Sequence, residues 1–444
     1  MTGRSSDRLL GILLALMPFA VSAQAEQPCT IYDGDPRHLW NRVHSAFYLR
    51  TVEIDRYETF PDKPPNRVAV GSVTLGPDVL DPPLGGHPKF LLWDEPFNSC
   101  EAVLTEFLES DGAKLIADPR ARVVLQRDLW AVFDLLQADP KAAQPGRIIP
   151  AAMPEYTQFE KQRCEILSLK IARVMRALAL PREQLIALPD NYAQAVGSGV
   201  FSREPVSQQR ADFLPPDLFE SASGWVEVGY ARQTAPTLHG QLLAGRSLFR
   251  IFYRVANEQG GAAAVERMLV EEIDSEPGAI ASSSFPPGSS FSLVRQLIAL
   301  DDQLEPVVTP IVESVQLRAD RAAGAESSEF GQLFEEFVLE RQLLLADRQG
   351  GLKPARVGEL RFDGYGSLGR LFTDEHGRML IGGEFPRDCA ACHGSHMLIA
   401  MSRLSFGGTK PVSHLENSPA QQAVAWKKGL GDYRRLRELW FEGR

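Results

Sequence analysis

The chain has 444 residues and a formal net charge of −10. That acidic balance argues against nucleic acid as a partner, because phosphate contacts need clustered Lys and Arg. With 44% hydrophobic residues and five cysteines, a chain of this length can bury a large core without disulfides, and two or three domains are expected.

The chain opens MTGRSSDRLLGILLALMPFAVSAQAEQPC. Arg4 and Arg8 precede an almost wholly apolar run from Leu9 to Val21, and Ala23-Gln24-Ala25 follows with small residues in an A-x-A pattern. This is the pattern of a secretory signal peptide over residues 1–25, cut after Ala25 or Ala23. The run is too short to span a bilayer, which takes ~20 residues. The expectation is therefore an exported protein, periplasmic or otherwise extracytoplasmic, with no transmembrane anchor after cleavage. An oxidising destination also predicts paired or chemically occupied thiols. Cys100 and Cys164 both fall in helix-like segments and could bridge, although sequence allows any pairing among Cys29, Cys100 and Cys164.

Beyond the leader, 38–49 has helical apolar spacing after an Asp-Pro start, and 62–90, rich in Pro and Gly, reads as strand and loop. Asn98-Ser99 can cap a helix running to about Glu109. The strongest amphipathic helix of the first third is RARVVLQRDLWAVFDLLQ (120–137). A further one, 156–180, is stopped by Pro181. Residues 224–231 and 246–255 alternate and carry β-branched or aromatic side chains, as strands do. Residues 262–273 read as a helix, 290–301 and 310–319 as extended, and 330–345 as either. Alternation on both sides of Asp374-Glu375-His376-Gly377 predicts a β-hairpin within 356–383. A basic amphipathic helix, 421–440, closes the chain. The fold expected is α+β: a mainly helical domain over 26–200, a mixed α+β domain over 201–355, and a hairpin plus short motif-bearing segment over 356–444.

The motif is Cys389-Ala390-Ala391-Cys392-His393. Two thiols with two residues between them can face the two vinyl groups of a porphyrin. A histidine directly after the second can then turn its ring nitrogen to the iron from the same side. The string is the attachment signature of haem c. These five residues, together with the export signal, resemble a c-type cytochrome; the rest of the chain carries no such likeness. The resemblance implies one covalent haem c, with Cys389 and Cys392 as thioether anchors and His393 as proximal iron ligand. It also implies attachment outside the cytoplasm and electron transfer to an unidentified redox partner. An open iron would instead suit a haem enzyme or a protein that binds a small-molecule substrate. Three non-haem readings remain. One is a zinc site using Cys389 and Cys392 with two of His376, His393, His396 and His414. The others are a redox pair and a structural disulfide.

The sixth iron ligand decides between transfer and reaction. Met401 and His414 are candidates, His376 is also possible, and a five-coordinate iron or a ligand from elsewhere in the chain is the alternative. Met401 points away on a continuous helix but comes within reach if the chain breaks at Gly394, and His414 has ample reach. Weaker signals read as structure. GYGSLG (364–369) lacks the helix a dinucleotide site needs after it, and FGGTKP (406–411) is a loop. The neighbouring acids Asp94-Glu95 and Glu335-Glu336 are expected to be solvated. Lys427, Lys428, Arg434, Arg435 and Arg437 read as a solvated face, or as a contact for haem propionates or an acidic redox partner.

Overall fold

A computed structural model describes residues 29–48, 50–60, 63–75, 91–137, 156–203, 212–220, 223–230, 246–256, 288–320, 332–355, 371–373, 379–381, 411–412 and 418–442, with a few isolated positions between 261 and 286. The expected signal peptide (1–25) and the stretch 382–410 lie outside the described residues. For the strands over 50–75, 371–381 and 411–412 the backbone alone is described.

The helices of the first part form as their spacing dictates. Helix α1 (Leu39–Tyr48) buries Leu39, Trp40, Val43 and Phe47 on one face. Helix α2 (Asp94–Glu109) starts four residues before Asn98. The expected cap at Asn98-Ser99 is therefore wrong: those residues lie inside the helix. Pro96 sits in its first turn, where a missing N–H costs nothing, and Asp94 and Glu95 place negative charge at its positive end. Helix α3 (Pro119–Leu136) is capped by Asp118, whose side chain accepts from the Arg120 N–H, with Pro119 at the first helical position. Helix α4 (Gln158–Leu178) opens on a reciprocal Thr157/Glu160 capping box and stops before Pro181. Two short helices, α5 (Arg182–Ile186) and α6 (Asn191–Gly197), lead out of the helical part.

A long hairpin, β1 (Arg50–Phe60) and β2 (Lys63–Leu75), interrupts these helices. The strand and loop expected over 62–90 covers β2 but not β1. Strand β1 escaped notice because charged residues recur through RTVEIDRYETF and blur its alternation.

The larger sheet has seven strands: β3 (Val226–Tyr230), β4 (Ser247–Arg254), β5 (Ser290–Leu300), β6 (Pro306–Asp320), β7 (Gln332–Leu339), β8 (Leu352–Pro354) and β11 (Pro411–Val412). Their order is β11-β3-β4-β5-β6-β7-β8, and every neighbouring pair is antiparallel. The ambiguous stretch 330–345 divides into strand β7 and a short helix, α7 (Arg341–Leu345). Of the helix expected over 262–273, residues 263–265, 267 and 268 are described, and all are helical. The smaller sheet has the order β2-β1-β10-β9, where β9 (Leu371–Thr373) and β10 (Met379–Ile381) are antiparallel. These two flank Asp374–Gly377 as the hairpin expectation required. Strand β10 also runs parallel to β1, with Ile54 opposite Met379.

The basic helix expected over 421–440 is two helices, α8 (Pro419–Gly429) and α9 (Gly431–Phe441). Leu430, between Gly429 and Gly431, breaks it with an extended backbone (φ −75°, ψ 150°). The fold is thus α+β. One apolar core joins α1–α4 to Leu248, Ile298 and Leu300 of the sheet and to Tyr433, Leu436 and Trp440 of α9. Another sets Tyr192, Phe201, Leu214 and Trp225 against Phe252, Val294, Val315 and Phe337.

Candidate functional site

The motif residues Cys389, Cys392 and His393 lie outside the described residues, and so do the proposed sixth ligands Met401 and His414 and the alternative ligands His376 and His396. The backbone on either side is described. Upstream, Ile381 of β10 pairs with Arg56 of β1 in the smaller sheet. Downstream, Pro411 and Val412 pair with Tyr230 and Gly229 of β3 at the edge of the larger sheet. The motif-bearing stretch therefore connects a strand of one sheet to a strand of the other. GYGSLG lies outside the described residues too. Of FGGTKP only Pro411 is described, and it begins β11.

The remaining three cysteines are all placed. Cys29, Cys100 and Cys164 are buried thiols, and no disulfide joins any of them to another. The Cys100–Cys164 bridge expected from sequence is thus not formed. Two of the sulfurs have polar partners: Cys29 Sγ lies 3.8 Å from Asn41 Oδ1, and Cys100 Sγ donates to the Ala46 carbonyl at 3.3 Å. Burial, reinforced by Glu165 and Glu160, pushes the Cys164 thiol up to about 12. A thiol so hard to ionise is a poor nucleophile and a poor metal ligand.

Charge is concentrated inside the protein, around α3. Every residue of that helix from Val123 to Leu136 is buried. The expectation of an amphipathic helix with a solvated side gives way to one enclosed all round, whose charged residues meet partners from distant parts of the chain. Asp128 takes Arg341 Nε at 2.9 Å and Nη2 at 2.5 Å, and His44 Nδ1 lies 3.2 Å from its Oδ2. The Tyr48 hydroxyl donates to the Asp128 carbonyl at 2.9 Å, and its ring stacks on His44. Burial of the Asp128 carboxyl opposes ionisation, but Arg341 and His44 outweigh it and hold its pKa below the usual range.

One residue before Asp128 in α3, Arg127 Nε reaches Glu313 Oε1 of β6 at 2.7 Å. The other oxygen of Glu313 takes the Ser247 hydroxyl at 2.5 Å and lies 2.9 Å from Arg295 Nε. Near the end of the helix, Asp134 Oδ2 takes Arg246 Nη1 at 2.6 Å and Lys427 Nζ at 2.9 Å. Lys427 lies 3.4 Å from Asp432 as well, over the Trp130 ring. Burial and the neighbouring Asp432 push the Asp134 pKa up, against the pull of Lys427 and Arg246. Neutral partners complete the frame. Gln126 exchanges hydrogen bonds with the Leu300 backbone, and Asn191 does so with Val312.

These clusters are cross-braces. Each joins α3 to another element, and each carboxylate has a cation against it, which is the condition for charge to sit in a dry interior. Among the described residues, no three His, Cys, Asp or Glu side chains converge to hold a metal ion.

The basic face of the last helices is also largely used inside the molecule. Lys427 is fully buried, Lys428 pairs with Glu305, and Arg435 pairs with Glu165 and Glu438. Arg434 and Arg437 are exposed, as a solvated face requires. Asp94 is exposed and bonded to Arg163 at 2.5 Å, and Glu95 is exposed. The other acid pair departs from expectation. Neighbouring strand residues face opposite sides of a sheet. Glu335 thus accepts the Phe213 N–H at 3.0 Å, while Glu336 is buried and takes the Gln316 amide at 3.3 Å.

Sequence reasoning missed the bracing residues for a physical reason. Their partners lie far apart in the chain, 213 positions in the case of Asp128 and Arg341. The available signal was the charge carried on both sides of α3, where ionic and apolar residues are mixed too evenly for a helix with one wet face. Comparison of the chain with protein-family models, curated proteins and solved structures finds no match. Among the described residues, no helix is long and apolar enough to cross a membrane.

Proposed function

We propose that this is an exported protein of the c-type cytochrome kind, carrying one covalent haem c and passing electrons to a redox partner. The observation that carries the reading is the Cys389-Ala390-Ala391-Cys392-His393 string in a chain that opens with an export signal. The donor set suits the group: two thiols at the spacing of the porphyrin vinyls, and an imidazole directly after the second. The chain's other three sulfurs are enclosed in the core, which leaves Cys389 and Cys392 as the pair for the porphyrin. When bound, haem supplies a one-electron couple whose potential follows its axial ligands and its burial.

In this reading Cys389 and Cys392 form the thioether bonds, and His393 supplies the proximal nitrogen. Met401 and His414 are the candidate sixth ligands, and an iron left open is the alternative. Met401 precedes Pro411 of β11 by ten residues, and His414 follows Val412 by two.

The test is production in cells with working haem-attachment machinery, followed by a denaturing gel stained for haem peroxidase activity. A stained band, lost in Cys389→Ala/Cys392→Ala, is expected. A zinc-loaded or disulfide-bridged protein would give no stain. The optical spectrum then separates transfer from reaction. Low-spin six-coordinate iron supports electron transfer, and high-spin iron that takes up carbon monoxide supports a haem enzyme or a small-molecule-binding protein.

A further inference from the structure

We draw no further inference here: the strongest candidate, the surface groove along α2 lined by Asn98, Glu101, Ala102, Thr105 and Glu106, has carboxylates already paired with Lys170 and Arg42, and nothing in the structure shows what would cover it.

Discussion

Two regions of this chain are fastened in different ways. The body around α3 is held by side chains: an apolar core shared with both ends of the chain, and three buried ionic clusters that brace the helix against α1, the sheet, α7 and the C-terminal pair. Around the motif, the described backbone is three short strands of three, three and two residues: β9 and β10 pair with each other, β10 with β1, and β11 with β3. The ionic bracing around α3 is sensitive to replacement of single residues, because removing one partner leaves a buried charge behind. Changes near α3 should therefore be felt in stability. Changes in the motif should be felt in cofactor content, with the body left standing.

The largest expected effect is at Asp128. Asp128→Ala leaves Arg341 without its carboxylate in the interior, and breaking a buried pair from one side costs about 3–5 kcal/mol. Urea unfolding followed by far-UV circular dichroism should show that loss. A cost under about 1 kcal/mol would mean that the cluster is not a brace. Cys389→Ala/Cys392→Ala should leave the same unfolding midpoint close to wild type while abolishing haem.

Lys427 gives a slightly smaller test. Lys427→Met removes the cation shared by Asp134 and Asp432, leaving Asp134 to Arg246 alone, and should destabilise the protein by about 3 kcal/mol. Adding Asp432→Leu should recover part of it, because Arg246 still answers Asp134. No recovery would mean that packing, not charge, seats α8 and α9.

Acid supplies a third test with a defined sign. The Asp128 pKa is lower in the folded than in the unfolded protein. Its contribution is therefore complete above the unfolded carboxylate value of ~3.9 and fades as pH falls through the lower folded value. Stability should drop more steeply below about pH 4 in wild type than in Asp128→Asn. Equal slopes would assign the acid sensitivity to other groups.

The smallest effect expected is at a helix start. Thr157→Ala removes one half of the α4 capping box and should cost about 1 kcal/mol.

Much of the scaffold was legible because its signals are local. Apolar period, Asp118-Pro119, the Thr157/Glu160 pair and Pro181 mark α3 and α4 within two residues. Alternation marks β3, β4 and β5 in the same way. Local reading failed where a competing signal intervened: charges interleaved through β1, the tolerance of Pro96 in a first helical turn, and the extended Leu430 between two glycines. The α7 turn shows a further limit. Gly350 has φ +60°, and a Cβ there would lie 1.9 Å from the Asn191 carbonyl, a demand for glycine set by a residue 159 positions away. The candidate site divides along the same line. The Cys-Ala-Ala-Cys-His string is contiguous and visible in the sequence, whereas the ionic clusters exist only once the chain has folded.

The most direct test of the central claim joins two readings on one sample: intact mass, and thiol titration in denaturant. The account predicts the mass of the mature chain plus one haem, and three titratable thiols, from Cys29, Cys100 and Cys164. A mass equal to that of the amino acids alone, with five thiols or with Cys389 and Cys392 released only by reductant, would contradict it.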